Sequence, residues 1–517
     1  MNFQEIHAQL LGPAAYPEPT RAVAFCETHI SRVYLTDTHA YKLKKPLDLG
    51  FLDFSTLERR GFFCHEEVRL NRRFAPGTYL GVVELREEGG RLRFGGSGTL
   101  VDYAVQMRRL PEARMLDRLL DAGAAELPTE IGRLARHLAI LFTASPVCRG
   151  EAPGGNAGEI RANWSENLAQ TERAVGGPLS AAAHRAMSAL IVAELDRLTP
   201  RFADREARGF VRDGHGDLHP RNICMTEPIQ VYDCIEFCRR FRVTDLAGEL
   251  AFLLMDLDFR GRRDLARSFL DVYLQHAPDP ELATLLPFYK SQRAWIRGKV
   301  EAVLAGEDEV AEELRSMALE RSRRYFNLAL GYHVPPMLLL TAGLMGVGKT
   351  TLARALAIAL GAEMLRSDVI RKELAGIPPG RPGPESFAEG LYAPAMTART
   401  YAELLHRAEG PLRRGDTVIV DAAFADNADR RQFFALAGRL GVPVRLLHLH
   451  CERELALARL DRRQAEGLDA SDGRREVAAA QAAAFEAVPA GPRVIAIDSS
   501  AAVDYNVQET ICRLLAG

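Results

Sequence analysis

Short alternating runs open the chain, helical stripes fill its middle, and compact apolar runs spaced by helices close it. Val33-Tyr34-Leu35 and Ala40-Tyr41-Lys42-Leu43-Lys44 flank Thr36-Asp37-Thr38-His39, a hairpin signature. Ser55-Thr56-Leu57-Glu58 has capping-box spacing and predicts a helix reaching about Arg73. Residues 79–85 and 100–107 predict two more strands. The glycine-rich stretch 89–98 between them lacks a strand-loop-helix frame and reads as a hairpin. From Leu110 to about Leu330 apolar residues recur at helical spacing, as in Ile131, Leu134, Leu138 and Leu141. The segment 215–237 interrupts those helices with short strand-like runs.

His333-Val334-Pro335-Pro336 breaks helix and marks a boundary. Beyond it, apolar runs at 337–342, 362–365, 418–420, 444–449 and 494–497 alternate with helical stretches. That rhythm predicts an α/β domain with a doubly wound parallel sheet. A chain of 517 residues exceeds what one core usually organises. Two domains are expected: an α+β domain over 1–332, with a small lobe at about 1–108 and a large lobe at about 109–332, and a second over 337–517.

Composition excludes little. Hydrophobic residues at 47% and charged residues at 26% are those of an ordinary globular protein, and a formal net charge of -2 gives no global field for nucleic acid or anionic membrane. The N-terminus lacks the pattern of a signal peptide, no run approaches a membrane span, and eight scattered cysteines suit reduced thiols, so a cytoplasmic location is expected. Of 66 basic residues seven are lysines: Lys42, Lys44, Lys45, Lys290, Lys299, Lys349 and Lys372. In a chain that uses arginine so heavily, lysines persist where a compact ammonium is needed. Three of them fall in one candidate strand and one in a phosphate loop.

Two motifs carry chemistry. In the first, His215-Gly216-Asp217-Leu218-His219-Pro220-Arg221-Asn222 is followed by Val231-Tyr232-Asp233. Phosphoryl transfer needs a carboxylate at the acceptor hydroxyl and oxygen ligands for Mg²⁺, and Asp217 and Asn222 have the spacing of a kinase catalytic loop. This segment resembles the aminoglycoside phosphotransferase branch of the protein-kinase-like bilobal fold, whose signature reads His-Gly-Asp-x-His-x-x-Asn. The resemblance spans roughly residues 20–330 and implies that Asp217 is catalytic, that Asn222 and Asp233 hold Mg²⁺, and that His215 is structural. It also implies a strand lysine on the ATP phosphates paired with a helix glutamate. Lys42 and Lys44 share a strand face, and both stay open, with Lys42 the better fit. Helical periodicity through Phe63, Leu70 and Phe74 puts Glu67 on the buried stripe, where its charge needs a partner. Residues 105–108 lie where the hinge to adenine is expected. The segment Tyr232-Asp233-Cys234-Ile235-Glu236-Phe237 and the helix around Lys290, Arg293 and Arg297 depart from antibiotic-modifying enzymes. They look more like a bacterial group that fuses this fold to a P-loop kinase.

The second motif is Gly343-Leu344-Met345-Gly346-Val347-Gly348-Lys349-Thr350, preceded by an apolar run and followed, from Thr351, by a helical stretch. This is the context in which a phosphate loop is credible: backbone N–H groups from Gly343 to Thr351 surround the phosphates, Lys349 reaches them, and Thr350 holds Mg²⁺. Arg366-Ser367-Asp368-Val369-Ile370-Arg371 resembles the substrate motif of small P-loop kinases related to polynucleotide, gluconate and shikimate kinases and zeta-type toxins. The resemblance implies that Asp368 takes the acceptor's proton and Arg371 binds the acceptor's anion. Asp421 ends the run 418–420 near the metal or acceptor and is grouped with Arg371 on the acceptor side. Arg459 and Arg463 stand where such kinases keep lid arginines. GTPase base-reading motifs are missing.

Together these features predict a bifunctional ATP-dependent phosphotransferase acting on small-molecule hydroxyl acceptors, with ATP and Mg²⁺ as cofactors and no membrane partner. The alternatives are a nucleic-acid 5′-hydroxyl kinase in the C-terminal half, which is less favoured, and a regulatory fusion in which one half only binds nucleotide. Neither acceptor nor oligomeric state is readable.

Overall fold

The computed structural model describes residues 3–50, 52–150, 154–378, 393–466 and 481–517. Two compact units emerge: Met1–Asn163 with Leu195–Leu257 and Arg262–Tyr289, and Trp164–Glu194 with Asp258–Gly261 and Lys290–Gly517.

After a short helix, Phe3–Leu10, the first unit holds six strands, β1 (Ala24–Glu27), β2 (Ser31–Leu35), β3 (His39–Lys44), β4 (Tyr79–Glu88), β5 (Arg91–Phe94) and β6 (Thr99–Arg108). They form one antiparallel sheet in the order β1-β2-β3-β6-β4-β5. The expected hairpin is β2–β3, with Tyr34 opposite Tyr41, and the glycine-rich stretch is the β4–β5 hairpin. Strand alternation assigns the two faces of β3. Tyr41 and Leu43 pack with Ile6, Leu10 and Phe94, whereas Ala40 packs with Cys64, Val68 and Met107. Lys42 and Lys44 share Ala40's face, which is the face covered by the helix Leu57–Asn71.

That helix begins one residue later than the capping box suggests. Thr56 is the N-cap, accepting from the Arg59 N–H, because the Ser55 hydroxyl donates to Asp53 at 2.6 Å instead. Residues 105–108, expected at the hinge, are still within β6. The rest of this unit is mostly helical. Two small antiparallel pairs break into it: β7 (Val211–Asp213) with β10 (Val243–Asp245), and β8 (Ile223–Cys224) with β9 (Gln230–Val231).

The second unit holds a parallel sheet of β11 (Leu338–Ala342), β12 (Glu363–Arg366), β13 (Val418–Asp421), β14 (Val444–His450) and β15 (Val494–Asp498), ordered β12-β13-β11-β14-β15. All five expected apolar runs are strands. The central β11 is buried throughout, as a strand covered on both faces must be. Helical segments from earlier in the chain belong to this unit. Asn327 donates to the Asp504 carbonyl at 3.0 Å and accepts from Gln508 at 3.1 Å, and Gln508 in turn accepts from the Ser180 N–H at 2.7 Å. The break at His333–Pro336 therefore lies inside a packed unit. Among the described residues, no helix is long and apolar enough to cross a membrane.

Candidate functional sites

The kinase-like site is built where β3, the helix Leu57–Asn71 and the loops after β7 and β9 meet. Gly216 lies in the loop between β7 and β8 with a φ of 82°, and a Cβ there would sit 2.9 Å from the Phe241 carbonyl. Glycine is thus required for the loop to turn this closely against the 241–242 backbone. The Gly216 N–H is held by the buried Glu249 carboxylate at 3.1 and 3.2 Å.

Asp217 and Asn222 are brought together as their spacing suggests. The Asn222 amide donates to the Asp217 carbonyl at 3.0 Å and to Asp217 Oδ2 at 3.1 Å. His215 lies beneath them, fully buried. Its Nε2 donates to the Tyr232 carbonyl at 2.9 Å, and its Nδ1 accepts from the Asp217 N–H at 3.3 Å. This is the neutral tautomer, and burial lowers its pKa to about 4. Tyr232 N–H also donates to the Asn222 carbonyl at 2.9 Å, so the Asp217 loop and the Asp233 loop are stitched together.

Asp233 follows β9 in the left-handed region, at a φ of 65°. A non-glycine residue there is held by its surroundings. The Tyr79 hydroxyl accepts the Asp233 N–H at 3.0 Å, and Asn71 accepts the Cys234 N–H at 2.8 Å. Lys42 Nζ donates to Asp233 Oδ1 at 2.5 Å and to Glu67 Oε1 at 2.9 Å. Lys44 donates to Glu67 Oε2 at 2.7 Å and to Glu236 Oε1. Glu67 is fully buried, as its stripe requires, whereas Glu66 pairs with Arg69 at the surface. Burial alone would raise the Glu67 pKa, but Lys42 and Lys44 outweigh it and bring it to about 2. Burial likewise opposes the Lys42 charge, and Asp233, Glu67 and Glu236 override it, leaving its pKa well above the ordinary value. Lys290 and Arg297, on the helix Leu282–Ala305, pair with Asp258 and Glu301 at 2.9 and 3.4 Å.

The phosphate-loop site lies at the C-terminal ends of the parallel strands, where ligands of such sheets gather. The loop runs from β11 into the helix Lys349–Leu360. Gly346 has a φ of 79°, and a Cβ on it would come within 2.4 Å of the Ala456 carbonyl. Lys349 Nζ donates to the Gly343 and Leu344 carbonyls at 2.9 and 2.7 Å, while Val347 is buried and Thr351 points outward. The Thr350 hydroxyl donates to Asp421 Oδ2 at 2.7 Å. Asp421 is therefore on the side of Thr350, the expected metal ligand. Arg366, opposite Asp421 in the β12–β13 register, has its Nε 3.6 Å from the same oxygen.

Asp368 is the second residue of the helix Ser367–Leu374, with Arg371 3.4 Å away one turn on. Arg459 donates to the Ser499 carbonyl at 2.8 Å and lies beside Gly348. The side chain of Arg463 lies outside the described residues.

The family described as "AAA domain" matches residues 338–488. The uncharacterized protein Rv2004c of Mycobacterium tuberculosis (strain ATCC 25618 / H37Rv) is 32% identical over 468 residues, which are 88% of this chain and 89% of that one. The chain belongs to the family of this mycobacterial protein. Among solved structures, a gluconokinase from Sinorhizobium meliloti 1021 is 19% identical, with a TM-score of 0.26 over 35% of this chain and 92% of that one. A GDP complex of aminoglycoside 2′-phosphotransferase-IIIa is 13% identical, with a TM-score of 0.38 over 62% of this chain and 98% of that one.

In this family member the phosphate loop and the five-stranded parallel sheet begin within the residues matched as an AAA domain, 338–488. Several neighbours of the two sites escaped sequence reasoning. Glu236 lies in the stretch whose departure from antibiotic-modifying enzymes was visible, but nothing local marked it as a partner of Lys44. Tyr79 and Glu249 read as ordinary strand and helix residues. Gln481, whose amide oxygen accepts the Met345 N–H at 2.7 Å, stands in an alanine-rich stretch that carries no signal.

Proposed function

We propose that the protein is a cytoplasmic, bifunctional ATP-dependent phosphotransferase, with a kinase-like site in residues 1–332 and a P-loop kinase site in residues 337–517, each acting on a hydroxyl acceptor. The observation that supports this reading is that side chains of the kinds phosphoryl transfer needs lie together at two places in one chain. Lys42–Glu67, Asp217–Asn222 and Asp233 converge in one, and Lys349, Thr350 and Asp421 in the other. The first set offers carboxylate and amide oxygens and the second carboxylate and hydroxyl oxygens, hard donors that fit Mg²⁺. Bound there, Mg²⁺ neutralises phosphate charge as the phosphoryl group moves.

In the kinase-like site Asn222 orients the Asp217 carboxylate, which takes the proton of the attacking hydroxyl. Lys42, charged and steadied by Glu67, binds phosphate oxygens, while Asn222 and Asp233 hold the metal. In the P-loop site Lys349 leaves its loop carbonyls for the phosphates, and Thr350 and Asp421 share the metal. Asp368 takes the acceptor's proton, and Arg371 binds an anionic group on the acceptor. An acceptor with both a hydroxyl and an anion suits that pair, such as a phosphorylated or carboxylated metabolite. A nucleic-acid 5′ end remains the second reading for this half only.

The test is ATP turnover in a metabolite extract by the full chain and by Asp217→Asn and Lys349→Ala. Each variant should lose a different phosphorylated product, by about 100-fold or more, and keep the other. Loss of both products from either folded variant overturns the independence of the two sites.

A further inference from the structure

Five charged side chains form an unbroken alternating line in the first unit: Asp233, Lys42, Glu67, Lys44 and Glu236. Lys42 and Glu67 are the expected nucleotide pair. Lys44 and Glu236 are a second pair with no role in the chemistry so far, and both are almost fully enclosed, at 0% and 3% side-chain exposure. Asp233, at the open end of the line, is 42% exposed. The Lys44 ammonium also lies 4.8 Å from the Phe54 ring centroid, away from water.

Such an enclosed pair is a poor stabilising device. Desolvating two ions roughly cancels their attraction, and apolar residues of similar size often do as well. Its geometry suits another task. Glu67 is held at both oxygens, Oε1 by Lys42 and Oε2 by Lys44, so its carboxylate cannot swing when Lys42 is drawn toward phosphate. Glu236 lies three residues after Asp233 on the same loop, and Lys44 anchors it to β3. The loop is thus fixed to the lysine strand at two points. One of them, Lys42–Asp233, would loosen as Lys42 turns to phosphate; the other need not. The left-handed backbone at Asp233 needs such restraint.

We propose that Lys44 and Glu236 are positioning residues for the nucleotide phosphates, holding Glu67 and the Asp233 loop in register while Lys42 exchanges Asp233 for phosphate. This rests on the reading of the first unit as a nucleotide site. The pair acts through Lys42, so its removal reports on phosphate contacts and not on the nucleoside.

The test uses the full chain carrying Lys349→Ala, with calorimetric titration of a non-hydrolysable ATP analogue with Mg²⁺ and, separately, of adenosine. Lys44→Met/Glu236→Leu, which removes both charges together, should weaken the ATP analogue about tenfold or more and leave adenosine within about twofold. Glu236→Gln, which keeps the shape of the side chain, should show the same split, as a check should the double variant fold poorly. Lys44→Arg should restore part of the loss. Unchanged binding of both ligands, or an equal loss of both, overturns the proposal, the second outcome marking the pair as merely structural. Lys42→Met in the same background separates the two levels. If it too leaves ATP affinity unchanged, the nucleotide reading of the site falls. If it abolishes ATP binding while the Lys44 and Glu236 variants do nothing, only the positioning role falls.

Discussion

Thr350 donates its hydroxyl to Asp421 Oδ2 at 2.7 Å, joining the first turn of the phosphate-loop helix to the end of the neighbouring strand β13. The contact lies between a hydroxyl and a carboxylate that both offer oxygen to a cation. Thr341 supports it from β11, its hydroxyl donating to the Ala422 carbonyl at 3.1 Å and lying 3.3 Å from Asp421 Oδ1. Asp421→Asn should weaken binding of the ATP–Mg²⁺ complex about tenfold or more, while binding of ATP in excess chelator changes little. Equal affinities of variant and parent for the magnesium complex would remove Asp421 from the metal side.

Lys42 and Lys44 should separate function from stability. Lys42→Met leaves Glu67 still paired with Lys44, so its chief effect should be on ATP, raising the requirement of the kinase-like site about 100-fold. Lys44→Met leaves Glu236 buried beside no cation of its own, and breaking an enclosed pair costs about 3–5 kcal/mol. The larger loss of thermal stability should therefore belong to Lys44→Met and the larger loss of ATP affinity to Lys42→Met. Thermal melts and ATP titrations of both variants check this, and the reverse order would exchange the two assignments.

These two lysines also mark where sequence reading stops. Short apolar and aromatic runs bounded by turn residues made β2, β3, β4 and β6 legible, and the strand period of two held within them even though β3 is buried on both faces. The same period put both lysines on one face and could not choose between them. Helical periodicity located Glu67, since a charge on an apolar stripe is conspicuous. Glu236 was not legible as a partner because its contact with Lys44 spans 192 residues. The start of the helix Leu57–Asn71 was missed by one residue because Asp53, outside the four-residue box, claims Ser55. The parallel sheet was legible strand by strand, as each strand is a short apolar run, but the packing of residues 164–194 and 290–331 into the second unit was not. Those helices look the same in sequence whichever core they face.

His215 sets a pH dependence. Its pKa falls from 6.5 to about 4 on folding, so the unfolded chain binds a proton in this window that the folded chain refuses. The stabilising contribution is complete above pH 6.5 and is lost as pH falls toward 4, amounting to roughly 3 kcal/mol by then. His215→Asn cannot titrate, so its melting temperature should fall less steeply than the parent's between pH 6.5 and 4.5. Parallel slopes would show that His215 is charged in the folded protein.

Asp368 and Arg371 should divide transfer from recognition. Asp368→Asn is expected to abolish phosphoryl transfer by the P-loop site and leave ATP affinity within about twofold, since Lys349 and Thr350 hold the nucleotide. Arg371→Ala should raise the acceptor's KM about tenfold or more with a smaller effect on kcat. Steady-state kinetics on an acceptor recovered from the extract, together with calorimetry of ATP, distinguishes the two. Full turnover by Asp368→Asn would leave the C-terminal half a nucleotide switch.

The most direct test of two phosphotransferase sites in one chain is the number of nucleotides the chain holds. Equilibrium dialysis of the full protein against a non-hydrolysable ATP analogue with Mg²⁺ should give two bound per chain. Lys42→Met and Lys349→Ala should each give one, and the double variant none. A single nucleotide bound by the parent chain, or two retained by either single variant, would contradict it.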